Sequence, residues 1–108
     1  MDCKKLNTTI EYKFQDGDKV KLTLAFYSLY KLKSTNKALY DRYNKAMLSL
    51  TKEEYDELEL LTILYAAYLC AHDSDVEPLS EEEFLYKCGS DRISVMRAVN
   101  NLTTPKKK

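Results

Sequence analysis

Apolar and polar residues alternate along Ile10-Glu11-Tyr12-Lys13-Phe14 and again through Val20, Leu22 and Leu24, with Asp16-Gly17-Asp18 between the two runs. A period of two sends alternate side chains to one face, and a polar turn centred on Gly joins the runs, so the pattern predicts a β-hairpin. An isolated hairpin is marginal in water, and its apolar face must pack on helices further along the chain. The period then changes. Phe26, Tyr27, Leu29, Tyr30 and Leu32 predict a short helix that stops at the turn-prone Ser34-Thr35-Asn36. Asn36 can cap a second helix, about Lys37 to Ser49, in which Leu39, Tyr40, Tyr43, Ala46, Met47 and Leu50 recur near 3.6 residues.

Thr51-Lys52-Glu53-Glu54 matches the capping-box pattern, in which a Thr hydroxyl accepts from an amide three residues on and the Glu reaches back. The longest helix is therefore expected to begin there and run to about Ala71. Its first half is amphipathic around Tyr55, Leu58 and Leu61, and its second half, Leu60 to Leu69, is apolar nearly all round. Such a helix is covered on several sides or offers one side to a partner. Pro78 blocks any helix through the polar loop 72–78. Ser80 to Glu83 is a second capping box, Gly89 ends the helix after it, and Ser90 or Asp91 caps the last one. That last helix is expected to bury Ile93, Met96, Val99 and Leu102. The fold class is α+β, mainly α: an N-terminal β-hairpin and about five helices in one compact domain, 1–102, followed by a basic tail, 103–108.

Composition agrees with this picture and narrows the chemistry. A chain of 108 residues with 44% apolar residues, 31% charged residues, 2 Gly and 2 Pro reads as one helix-rich globular domain. The 17 basic and 17 acidic residues cancel, so binding to nucleic acid or an anionic membrane requires a local patch. Cys3, Cys70 and Cys88 lack zinc or redox spacing and read as reduced thiols. The start, Met-Asp-Cys-Lys-Lys-Leu, lacks the apolar core of a signal peptide, and no run is long enough for a membrane span, so an intracellular, soluble protein is expected. Asp73, Asp75 and Glu77 have the spacing that opens a calcium loop, yet Pro78 stands where the sharp turn needs Gly and no Glu closes the loop. His72 is the sole histidine and has no nucleophile signature beside it. The expectation is therefore no catalytic residue, no metal and no cofactor.

The 9 tyrosines are many for this length. Tyrosine combines apolar area with a polar tip at low entropic cost, which suits surfaces that are sometimes buried and sometimes wet. Leu64, Tyr65 and Tyr68, flanked by Tyr40 and Tyr43, are the expected partner-binding groove. Stacking on single-stranded bases would need interleaved basic residues, and the tyrosines around position 65 have none nearby. A second reading treats Ser80 to Leu102 as a helix-turn-helix, with Leu85, Gly89 and Val95 as its packing positions and Arg92 and Arg97 reaching DNA from the second helix. Against it stand a bulky Leu85 at the helix crossing, a polar Ser90 in the turn and three glutamates opening the first helix.

The order of elements resembles the tail assembly chaperones of long-tailed (siphovirus-type) phages and prophages of Gram-positive bacteria. The residues that carry the resemblance are Thr9-Ile10-Glu11-Tyr12-Lys13-Phe14, the helix from Leu60 to Leu69, and Pro78-Leu79-Ser80-Glu81-Glu82-Glu83-Phe84-Leu85 followed by Asp91-Arg92. The resemblance implies a non-catalytic protein of the bacterial host cytoplasm, absent from the mature virion, that binds the tape-measure protein during tail morphogenesis. The tail-tube protein and self-association are further candidates. In that family a lysine-coded slippery run often ends the short form of the chaperone, and Lys106-Lys107-Lys108 fits such a run. A small helix-turn-helix regulator and a helical adaptor of unknown partner stay open beside it.

Overall fold

A computed structural model describes residues 9–72 and 77–103. Cys3, Asp73, Asp75 and the lysines at 106–108 lie outside the described residues. The chain forms β1 (Thr9–Lys13), β2 (Lys19–Thr23), α1 (Phe26–Thr35), α2 (Lys37–Thr51), α3 (Glu57–Ala71), α4 (Glu81–Cys88) and α5 (Arg92–Thr103). The predicted hairpin and five helices are therefore present in one domain.

The antiparallel pair sets Ile10 opposite Leu22 and Tyr12 opposite Val20. Its inward face, with Tyr12 and Leu22 buried, lies against α3 and α5. The turn is closed by Phe14 N–H donating to Asp18 C=O at 2.7 Å and by Asp18 N–H donating to the Asp16 carboxylate at 3.0 Å. α3 is the central element, in contact with β2, α1, α2, α4 and α5. Ile63 to Tyr68 are buried without a break, which accounts for the apolar run in its second half.

α2 and α3 meet differently from the expectation. Thr51 is the last residue of α2, and its hydroxyl donates back to Met47 C=O at 3.0 Å instead of accepting from Glu54. The chain then makes a Schellman end: Glu53 N–H donates to Leu50 C=O, Glu54 N–H donates to Ser49 C=O, and Glu53 takes a positive φ of 61°. The N-cap of α3 is Asp56, in a reciprocal box with Glu59. Two acceptor–Glu pairs at the same spacing stand five residues apart here. The second wins because α2 continues through Thr51 to seat Met47 and Leu50 against the core.

The box at Ser80 and Glu83 forms as expected, and Asp91 rather than Ser90 caps α5 through Ser94. Gly89 ends α4 at φ 65° and ψ −128°, the mirror image of extended backbone, which side chains forbid. It also lies under the hairpin turn. A Cβ at position 89 would fall 1.5 Å from the Gln15 side-chain oxygen, which accepts from Ser90 N–H. Lys87 completes the dock by donating to Asp16 at 2.6 Å and Asp18 at 2.9 Å. Those hydrogen bonds, the Asp16 one foremost, hold its ammonium above the ordinary lysine range. Ile93, expected in the core, points outward, since α5 turns Val95, Ala98 and Val99 toward α3 and β1.

Gly89→Ala is expected to lower stability by about 1–3 kcal/mol through backbone strain and loss of the Gln15 contact. Glu53→Gly is expected to raise it by about 0.5–1 kcal/mol by relieving the positive φ. Urea unfolding of the two variants beside the parent chain checks both signs.

Candidate functional site

The expected tyrosine groove is closed. Leu64, Tyr65, Tyr68 and Tyr43 are buried in the core and Tyr40 is half-buried at its edge. Tyr65 and Tyr68 carry out a local structural task. The Tyr65 hydroxyl donates to Leu79 C=O at 2.8 Å, and the Tyr68 hydroxyl accepts from Leu79 N–H at 2.8 Å. Both backbone polar groups of Leu79 are thereby satisfied just before α4 begins. The rings of Tyr65 and Tyr68 pack on Phe84 at 5.4 and 5.2 Å between centroids, and Phe14 meets Phe84 from the hairpin side at 5.4 Å. Alanine at Tyr65 or Tyr68 would loosen the fold, so loss of binding there would not locate a partner.

The open apolar surface lies at the other end of α3. Leu58, on the first turn, is 66% exposed, and Leu61, one turn on, is half-buried. Across from them α5 presents Arg92 and the half-buried Met96, while Ile93, 71% exposed, lies in the adjoining depression on α5. Tyr55 closes the near end by donating its hydroxyl to Met96 Sδ at 4.0 Å. Between these walls runs a groove of about 650 Å³, floored by Leu60, Cys88 and Val95. It shares Arg92 and Met96 with a shallower depression of about 580 Å³ that spreads over Ile93, Arg97, Asn100 and Asn101. The groove is lined by the first turns of both helices, Glu57 to Leu61 of α3 and Arg92 to Met96 of α5.

Its rim is charged. Asp56, Glu57 and Asp91 line one part, and Arg92 ion-pairs with Glu57 through Nε across the mouth. Both partners are largely solvent-exposed, so the pair is screened and easily exchanged. Hydrogen bonds from Ser94, first from its hydroxyl and then from its amide, hold the Asp91 carboxyl below the usual carboxylate range, helped by Arg97. Asp91 is thus a fixed cap. Of the two arginines expected to face DNA, Arg92 is engaged with Glu57, and Arg97 is exposed on α5 beside β1. The glutamates of α4 sit in its first turn, with Glu81 paired to Arg42 of α2.

Among the described residues, no group of three or more His, Cys, Asp or Glu could hold a metal ion, and no helix is long and apolar enough to cross a membrane. Cys70 is half-buried and Cys88 buried, and desolvation pushes each thiol up to about 11. For Cys88 a hydrogen bond with Tyr12 pulls in the opposite direction and is outweighed. Desolvation likewise raises Tyr43 to about 12.

The sequence missed this site for one reason at two places. Leu58 and Ile93 are strongly apolar, and period alone assigns such residues to the core. The available signal was surplus: α3 has more apolar positions than one buried stripe requires.

The thiols give a pH prediction. In the unfolded chain they ionise near 9.0 and in the fold near 11. Between those values the unfolded state holds fewer protons, so stability falls as pH rises. The urea midpoint is expected to drop between about pH 9 and 11, and Cys70→Ala should flatten that decline. A midpoint that holds level or rises over this window would contradict the burial of both thiols.

No family model, curated protein or solved structure matches this chain.

Proposed function

We propose that this chain is a non-catalytic tail assembly chaperone of a long-tailed phage or prophage, which binds the tape-measure protein during tail morphogenesis. The observation that carries the proposal is the open apolar groove between α3 and α5, lined by Tyr55, Leu58, Leu61 and Met96, with Ile93 exposed in the shallower depression that adjoins it. A tape-measure protein is a long helical rod. A groove with Leu58 and Leu61 three residues apart on one wall and Met96 on the other accepts one amphipathic helix by the usual i, i+3, i+4 anchors. Such a helix leaves water without requiring the chaperone to unfold or to do chemistry. The binding surface of this reading is the groove of Leu58 and Leu61 with the adjoining Ile93, in place of the buried Tyr65 and Tyr68. Action in the host cytoplasm and absence from the finished virion belong to the same proposal, as do the tail-tube protein and a second copy as further contacts.

Duplex DNA recognition through α5 is the competing reading, and the geometry favours it less. The acidic first turn of α4 would face phosphates if α5 entered a groove, and a chain of zero net charge supplies little of the electrostatic affinity that duplex binding draws on.

The test is to read the genes on either side of this one and to co-express the chain with any long coiled-coil protein they encode. The parent chain is expected to keep that protein soluble and to co-elute with it. Leu58→Glu and Ile93→Glu, both at exposed positions, are expected to weaken the complex about tenfold or more while thermal unfolding stays within about 0.5 kcal/mol of the parent. Salt-sensitive binding to duplex DNA, with no capture of a helical partner, would transfer the assignment to the regulator.

A further inference from the structure

A second exposed surface has a different chemistry. On α1, Phe26 is 90% exposed, Tyr27 70% and Tyr30 67%. The rings of Tyr27 and Tyr30 are stacked, with centroids 6.4 Å apart and planes 28° from parallel. At 100° per residue, Phe26, Tyr30 and Tyr27 fill the middle of the outward sector, while Lys33 and Lys31 form its two borders. Leu32 is buried on the opposite side. Lys31 Nζ lies 5.6 Å from the centre of the Tyr27 ring, and Lys33 Nζ lies 5.6 Å from the centre of the Tyr40 ring.

The charge here is of one sign. From Lys19 to Tyr40 the chain carries Lys19, Lys21, Lys31, Lys33 and Lys37 and no acidic residue. Lys37 pairs with Asp41 at 3.1 Å. Among the described residues, neither Lys31 nor Lys33 forms an ion pair, so both cations border the rings without a carboxylate. A chain of zero net charge can bind a polyanion only through such a local patch.

We propose that this face of α1 binds single-stranded nucleic acid, with bases stacked on Phe26, Tyr27 and Tyr30 and phosphates held by Lys31 and Lys33. Rings interleaved with cations are the general solution for single strands, because every base has a flat face and every linkage a charge. A duplex hides its base faces and loses the stacking. A lipid surface is the poorer fit, since the exposed rings are mainly tyrosines with polar tips and no aliphatic residue deepens the patch. The contacts use rings and phosphates and make no sugar-specific hydrogen bond, so DNA and RNA strands bind alike.

The proposal is independent of the groove and is tested separately. Fluorescence anisotropy of the full chain with labelled oligo(dT) and oligo(U) of about 20 nucleotides should show binding on the order of 10⁻⁵ M at about 50 mM salt. The slope of log K against log salt should be near −1.4, that is about 0.7 for each of two neutralised phosphates. Tyr27→Ala with Tyr30→Ala should weaken binding about tenfold or more without altering the thermal melt, because both rings stand in solvent. Leu58→Glu should bind the strands as the parent chain does. The proposal is overturned if neither strand binds at low salt, if duplex DNA of equal length binds as tightly, if only anionic vesicles capture the protein, or if the double alanine variant keeps full affinity.

Discussion

Phe84 holds this molecule together. α4 has only eight residues, too few to persist as a helix without tertiary support. That support comes from three rings. Phe14 arrives from the hairpin turn, Tyr65 and Tyr68 from α3, and all three meet Phe84, which has no exposed surface. Aromatic pairs in these geometries contribute roughly 0.5–1.5 kcal/mol each beyond their buried area. The tyrosine hydroxyls add a second constraint by holding Leu79, so α4 is fixed at its entrance as well as along its length. Position then passes down the chain: α4 places Gly89, Gly89 sits under Gln15, and Asp91 starts α5 at the place that makes one wall of the groove.

How far the sequence predicts this depends on whether an element is decided locally. The hairpin, Asn36 at the start of α2 and the Ser80–Glu83 box each need only near neighbours, and all are legible. Thr51 is not, because its hydroxyl can accept from a later amide or donate to a preceding carbonyl, and only the packing of Met47 and Leu50 decides which. Tyr65 and Tyr68 mislead through their polar tips. A tyrosine with a wet hydroxyl belongs to a surface, yet these hydroxyls find their partners on Leu79, fourteen and eleven residues away, and the rings can then be buried. Ile93 shows the reverse error. Its burial would require α5 to turn about its axis and expose Val95 or Val99, which β1 and α3 already cover.

The two exposed surfaces differ in what they ask of a partner. The α3–α5 groove is concave, and its rim carries both signs of charge, with Arg92 and Glu57 satisfying each other across the mouth until something enters. That arrangement keeps an apolar trough soluble: the pair costs little to open because it is solvated on both sides. On the proposed reading its occupant is elongated and amphipathic. The α1 face is convex, ringed by cations alone, and presents flat aromatic area. It suits an anionic partner with planar groups.

The core closes through Leu22, Ile63, Leu64, Phe84 and Val99, all fully buried, whereas Leu58, Ile93 and Phe26 stand in solvent. Replacing those exposed residues with polar ones would reduce apolar area in water and leave packing intact. Large apolar side chains kept in solvent add nothing to folding, and their clustering into one trough and one ring-bearing helix face gives them a physical use only when a second molecule covers them. In a chain with zero net charge no long-range field draws a partner in, so on the two proposed readings affinity rests on short-range contacts: apolar burial along α3 and α5, and stacking beside locally unpaired lysines on α1.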